Sequence, residues 1–180
     1  MADPVFTTAR LRAERLGPDD ADLLLTVYSD PEAMRFVGDG KPITRDACDR
    51  WITITLENYA RRGYGMLALR RRADGALVGC CGITHPGNQF APETKYCLLR
   101  EHWGQGYATE ALRGLIDYAT ATLGLADLLA TVDRSHTASH HVLEKAGFQK
   151  GRTVIEADAL PTLFYFYGDP AVQDLRRPAP

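Results

Sequence analysis

The sequence predicts a single α/β domain of the α+β type, a mixed sheet with helices on both faces. Three observations carry that prediction. Residues 64–71 and 76–84 are strand-like runs joined by Ala73-Asp74-Gly75, and Asp-Gly is a strong hairpin signal. Glu93 to Arg100 reads as a strand that leads through Gly104 and Gly106 into a pattern of helical period. Beyond it, strand-like and helical runs alternate without an internal repeat or a linker. A chain of 180 residues that is 45% hydrophobic suits one domain with a full core.

Taken in order, residues 1–8 read as a short tail, and the expected ordered core spans about 8–168. Ala9 to Leu16 alternates as a half-exposed strand. Asp19 or Asp20 then caps a helix over Ala21 to Tyr28, with Leu23, Leu24 and Val27 inward. Asp30-Pro31 begins a short helical turn through Met34 and Phe36, and Gly38 to Pro42 is a loop. Thr44 caps the next helix, Cys48, Ile52, Leu56 and Tyr59 supply its apolar stripe, and Gly63 ends it. Ala76 to Thr84 is apolar on both faces, as a strand near the centre of a sheet should be. His85 to Pro92 is a loop. Ala108, Leu112, Leu115, Ile116 and Ala119 mark the face of a long helix, which Gly124 stops. Leu128 to Val132 is a strand, and Ala138, Val142, Leu143 and Ala146 make a short helix ended by Gly147. Phe148 to Ala157 and Pro161 to Tyr167 are the last strands, and Pro170 onward is a tail.

The bulk numbers exclude several classes of function. A net charge of -2 disfavours a nucleic-acid partner, and the arginine clusters at Arg10, Arg12 and Arg15, Arg61 and Arg62, and Arg70 to Arg72 read as solvated surface. Cys48, Cys80, Cys81 and Cys97 form no C-x-x-C pair and no zinc spacing, so no metal is expected. Cys80 and Cys81 point to opposite faces of their strand and read as small apolar residues in a reducing compartment. The first residues lack a cationic-then-apolar leader, and no apolar run approaches the ~20 residues of a membrane helix. A cytoplasmic location without a membrane partner is the expectation.

The chemistry begins at Trp103-Gly104-Gln105-Gly106-Tyr107-Ala108-Thr109-Glu110-Ala111-Leu112. The first turn of a helix carries unpaired N–H donors and a partial positive charge, and glycines let an anion approach without meeting a Cβ. Strand, glycine turn and helix together point to a pyrophosphate site. A dinucleotide site needs a third glycine where Thr109 stands and a parallel βαβ unit in place of a hairpin, so that reading is set aside.

With these residues in place, the chain resembles the GNAT superfamily of acyl-CoA-dependent N-acetyltransferases from about Thr8 to Tyr167. Trp103 to Ala108 matches the family's glycine pattern, with Trp103 where Gln or Arg is usual. That substitution, with Thr109-Glu110-Ala111, resembles the branch that acetylates the N-termini of ribosomal proteins. So do the stretches Thr8-Ala9-Arg10-Leu11, Asp30-Pro31-Glu32-Ala33-Met34-Arg35-Phe36 and Val142-Leu143-Glu144-Lys145-Ala146-Gly147-Phe148. The resemblance implies a mostly antiparallel sheet of about seven strands with a splayed strand pair at the cofactor site. It implies acetyl-CoA as cosubstrate. Its pyrophosphate lies on Gly104, Gln105, Gly106, Tyr107, Ala108 and Thr109, and its pantetheine lies along the strand of Tyr96 to Leu99, with the Leu98 or Leu99 amide nearest the thioester.

The implied reaction is direct attack of a neutral primary amine on the thioester. It needs loss of an ammonium proton, donors for the oxyanion and a proton for sulfur. Ser139 is the implied general acid, against a reading as a local helix cap. His136 stands where the family pattern has Asn; it either hydrogen-bonds the cofactor or acts as a base. Glu93 is the implied base, against a reading as a strand-end carboxylate; an exposed Glu titrates near ~4.3 and would act through water. Tyr165 and Tyr167 share one face of the last strand and read as core packing, against a place in the lining of the acceptor pocket. With no strong base in view, an α-amine of pKa about 7.7–8.0 is a better acceptor than a lysine of about 10.4. A protein or peptide N-terminus or a small amine therefore fits, and Glu32, Asp39, Glu93, Glu156 and Asp158 would attract it. A non-catalytic acyl-CoA-binding or sensing module is the alternative. Monomer and homodimer are both open, with Leu163 to Tyr167 as a pairing edge in the second case.

Overall fold

A computed structural model describes residues 3–155 and 161–176. Eight strands form one sheet: β1 (Phe6–Thr7), β2 (Leu11–Arg15), β3 (Met66–Arg71), β4 (Leu77–Thr84), β5 (Glu93–Leu98), β6 (Leu128–Asp133), β7 (Gln149–Ile155) and β8 (Pro161–Tyr167). Their order across the sheet is β1-β2-β3-β4-β5-β6-β8-β7. Every neighbouring pair is antiparallel except β5 and β6, which run parallel. The helices are α1 (Ala21–Tyr28), α2 (Pro31–Met34), α3 (Arg45–Arg62), α4 (Tyr107–Ala121) and α5 (Thr137–Ala146). The expected architecture is present, with eight strands where about seven were expected.

Local chemistry sets most boundaries as the sequence predicts. Thr44 Oγ1 accepts from Ala47 N at 3.3 Å, and Gly63 closes α3 with φ 83°. Asp20 does occupy the N-cap of α1, but its carboxylate turns back to accept from Gly17 N at 2.6 Å and caps nothing. In α5 the inward position one turn before Leu143 is Ser139, not the exposed Ala138. The strand expected to end at Ala157 is described only to Ile155, and residues 156–160, Pro178 and Pro180 lie outside the described part. The expected tail from Pro170 is instead a 3-10 helix over Pro170–Arg176, with Val172 buried against Ala91, Leu129 and Phe164, so the ordered core runs past 168.

The sheet divides the core. On one face α1 and α3 cover Ala68, Cys80 and Cys97. On the other, α4 covers Leu67, Leu69, Cys81 and Leu98, and α5 covers Ala130, Leu163 and Tyr165. Adjacent Cys80 and Cys81 thus serve opposite layers, and β4 is buried from Val78 to Ile83. β8 lies inside the sheet, between β6 and β7, with Leu163, Phe164 and Tyr165 buried. Its aromatic run is core on both faces and is not available as a pairing edge.

β1 was expected to be tail. Phe6 pairs with Ala13 across the sheet edge and stacks on Tyr118 of α4 at 5.9 Å. This contact is more than a hundred residues distant in the chain, so no local pattern announces it. It depends on Gly114: a Cβ there would meet Thr8 Cγ2 at 2.6 Å and the Phe6 ring at 2.8 Å. At an ordinary helical position, Gly to Ala stabilises by ~0.5–1 kcal/mol. Here overpacking, which costs ~1–3 kcal/mol, outweighs that gain. Gly114→Ala is expected to lower the Tm by about 2–6 °C in a thermal melt, against the rise a free helical glycine would give.

Candidate active site

β5 and β6 part almost as soon as they meet. Their one bridge is Glu93 to Leu129, where Leu129 N donates to the Pro92 carbonyl at 2.9 Å. On its other side β5 stays paired to β4 along its length. Leu99 N donates to Val78 O at 2.9 Å, which makes Val78 and Leu99 a hydrogen-bonded pair. Alternation along an antiparallel ladder then turns the main-chain groups of Leu98 and Tyr96 away from β4, toward the opening. The Leu98 carbonyl there accepts from Trp103 Nε1 at 2.8 Å. The Leu98 amide therefore faces the gap as expected. The Leu99 amide does not, because it belongs to the β4 ladder; the second amide on the gap side is that of Tyr96.

The glycine turn delivers α4 to the end of this opening. Gly104 and Gly106 adopt φ 70° and 80°, the left-handed region open to glycine. Gly106 is the N-cap and offers no side chain, and the first helical bond is Glu110 N to Gly106 O at 3.1 Å. The amides of Tyr107, Ala108 and Thr109 precede that bond and have no intrahelical acceptor. An open groove of about 720 Å³ runs from this point along α4, lined by Thr8, Arg10, Gly106, Thr109, Arg113 and Lys145 among others. Ser139 and the β5–β6 opening lie outside that lining.

Two side chains of β5 reach across the opening on opposite faces. Lys95 Nζ reaches Thr131 Oγ1 of β6 at 3.2 Å on one face. On the other, the Tyr96 hydroxyl lies 2.7 Å from Ser139 Oγ of α5. Burial pushes the Tyr96 phenol up to about 12, so it keeps its proton near neutral pH. Donation of that proton to Ser139 Oγ leaves the serine's own hydrogen free to point elsewhere. The open end is roofed from the α1–α2 side. Asp30 forms a forked ion pair with Arg100, Nε to Oδ2 at 2.8 Å, and Phe36 stacks on His136 with ring centroids 4.2 Å apart.

A family model described as the acetyltransferase (GNAT) domain matches residues 10–149, which include β5, the glycine turn, α4 and α5. The chain belongs to the GNAT acetyltransferase family. The uncharacterized N-acetyltransferase p20 of Bacillus licheniformis is 32% identical over 149 residues, 79% of this chain and 81% of p20. The crystal structure of an acetyltransferase from Agrobacterium tumefaciens superposes with a TM-score of 0.79 at 27% identity, covering 94% of this chain and 96% of that one. The ribosomal L7/L12 alpha-N-protein acetyltransferase RimL, solved with coenzyme A, shares the fold with a TM-score of 0.77 at 14% identity, over 94% of this chain and 99% of RimL. The protein is thus an acetyltransferase of this family, and the family match spans every element around the opening.

Within this GNAT fold, Glu93 departs from the exposed carboxylate the sequence suggested. It is fully buried and accepts from Gln89 Nε2 at 3.0 Å, Lys95 Nζ and Thr131 Oγ1. Glu32 and Asp39 are exposed, while Glu156 and Asp158 lie outside the described residues. Tyr165 is core, with its hydroxyl donating to Glu144 at 3.0 Å. The sequence placed Tyr96 on the cofactor strand by its backbone alone, and its side chain, Lys95, Thr131 and the Phe36 ring were not singled out as a site. The period-two spacing of Glu93, Lys95 and Cys97 against Thr94, Tyr96 and Leu98 gives their faces. Their partners come from other elements and leave no local signal.

Burial, with the neighbouring His140 charge, holds the His136 imidazole below its ordinary value of about 6.5, against the pull of Asp133. A depressed histidine contributes stability above the unfolded value and loses it as pH falls toward the folded one. His136→Asn is expected to flatten the fall in urea-melt stability between about pH 7 and 5, relative to the parent protein.

Proposed function

We propose that the protein transfers the acetyl group of acetyl-CoA by direct attack to an α-amine, either a peptide or protein N-terminus or a small molecule with a similarly weak base. The observation that carries this reading is the β5–β6 opening, with strand amides on one wall and the Ser139 hydroxyl, backed by Tyr96, on its helical side. The free amides of Tyr107 to Thr109 suit a pyrophosphate, as does the absence of a Cβ at Gly104 and Gly106. The Gln105 side chain folds back to donate to Glu101 O at 2.8 Å, so Gln105 serves through its backbone. The groove toward Arg113 and Lys145 suits the phosphorylated end of the cosubstrate.

In this reading the pantetheine arm takes the place of the missing β6 rungs and bonds the edge of β5. The amine nitrogen attacks the thioester carbon, and the Tyr96 or Leu98 amide donates to the oxyanion. As the C–S bond breaks, Ser139 gives its proton to the sulfur, and the proton lost from nitrogen restores the balance through solvent. Tyr96 holds the serine hydrogen toward the sulfur. His136 takes a binding place at the start of α5, with its ring set by Phe36.

The acceptor follows from the bases. The Glu93 carboxylate is enclosed by three donors, so it contributes a buried negative charge and not an open proton acceptor. Of the carboxylates near this end, Asp133 accepts from Ser135 and Asp30 is paired with Arg100. Such a site suits an amine that is already partly neutral near pH 7.

A thiol-release assay with acetyl-CoA against peptides with varied N-termini, amino acids, polyamines and aminoglycosides tests the proposal. Turnover with α-amines is expected to exceed turnover with lysine-type amines at pH 7. Ser139→Ala is expected to lose about 10²–10⁴-fold in kcat with acetyl-CoA affinity kept. Full turnover by Ser139→Ala, or thiol release only with high-pKa amines, contradicts the reading.

A further inference from the structure

Glu110 is out of place for an anion site. It stands in the first turn of α4, four residues after the N-cap, where a carboxylate is drawn to the same free amides that would hold a pyrophosphate. Yet both of its oxygens are turned the other way. Oε1 accepts from Thr8 Oγ1 at 2.6 Å and from Arg10 N at 2.7 Å, and Oε2 accepts from Arg10 Nε at 2.6 Å. The turn between β1 and β2 therefore holds this carboxylate off its own helix start.

The same guanidinium acts on the loop itself. Arg10 Nη1 donates to the Gln105 carbonyl at 3.0 Å, and the guanidinium lies over the Tyr107 ring at 4.3 Å. In a planar trans peptide the C=O of one residue and the N–H of the next point in opposite directions. Anchoring the Gln105 carbonyl on the Arg10 side thus aims the Gly106 N–H away from Arg10. Burial alone would raise the Glu110 carboxyl, but the hydrogen bonds from Thr8 and Arg10 outweigh it and keep the carboxylate ionised.

We infer that Arg10 is a positioning residue for the pyrophosphate site: it withdraws the Glu110 carboxylate from the α4 amides and sets the Gln105–Gly106 peptide so that these amides converge on the cosubstrate. Arg10 reads as one of several solvated arginines in the sequence, and its side chain is indeed 47% exposed. Its three attachments distinguish it from a surface charge. The inference rests on the reading of the glycine turn as the pyrophosphate site.

The test is calorimetry with CoA and with pantetheine, which lacks the pyrophosphate, on the full chain. The parent protein is expected to bind CoA far more tightly than pantetheine. Arg10→Ala is expected to weaken CoA about ten- to a hundred-fold while changing pantetheine by less than about two-fold. Arg10→Lys keeps the charge but not the fork, and serves where the alanine variant folds poorly; it is expected to lose most of the same affinity. Adding Glu110→Gln to either variant is expected to restore part of the loss, because the competing carboxylate is gone. CoA binding within two-fold of the parent in folded Arg10→Lys, an equal loss for CoA and pantetheine, or no recovery with Glu110→Gln overturns the inference. Equal affinity of the parent for CoA and pantetheine removes the pyrophosphate reading beneath it, and the inference with it.

Discussion

β5 and β6 are parallel neighbours in a sheet whose other pairs are antiparallel, and they share a single bridge at Glu93 and Leu129. A strand edge left unpaired inside a sheet exposes donors and acceptors that elsewhere find partners. Here one of them, the Leu98 carbonyl, is taken by the Trp103 indole. The Tyr96 and Leu98 amides stay turned toward the opening. An unsatisfied buried donor costs ~1–3 kcal/mol, so an extended ligand that supplies acceptors to this edge recovers what the sheet gave up. The rest of the site follows from that opening. α4 starts at one end of it, α5 flanks it with Ser139, and the α2 segment crosses its mouth through Asp30, paired with Arg100, and Phe36, stacked on His136.

Charge is arranged around the opening in two different ways. At Glu93 the carboxylate is buried under Lys95, Thr131 and Gln89, and the negative charge is enclosed where β5 meets β6. At Glu110 the carboxylate lies at the surface end of α4 and is held by the β1–β2 turn. Both acids stand beside groups of the proposed chemistry, and each is held by at least one partner from a distant part of the chain. The site therefore presents hydrogen-bond donors and a neutral hydroxyl, a combination suited to an anionic thioester and a neutral amine.

Much of this was legible in the sequence, because the informative features are local. The Asp74-Gly75 hairpin, the Thr44 and Gly63 ends of α3, and the glycine turn before α4 each carry their own short-range chemistry, and each stands where it was expected. What was not legible depends on partners far apart in the chain. Phe6 and Gly114 make β1 a strand, although neither stretch shows it alone. β8 enters the sheet between β6 and β7, which turns an apparent aromatic edge into core. Glu93 looks like a strand-end acid until Gln89 and Thr131 close over it. Leu99 shows how a strand's period of two decides a site residue: one step along β5 moves an amide from the opening to the ladder with β4.

The central claim is that the bare edge of β5 and the start of α4 together hold the cosubstrate. Amide-resolved hydrogen exchange, with and without CoA, tests it most directly. CoA is expected to slow exchange at Tyr96, Leu98 and Tyr107 to Thr109, while Leu99, already bonded to Val78, is slow in both states. Unchanged exchange at Tyr96 and Leu98 in the CoA-saturated protein would contradict it.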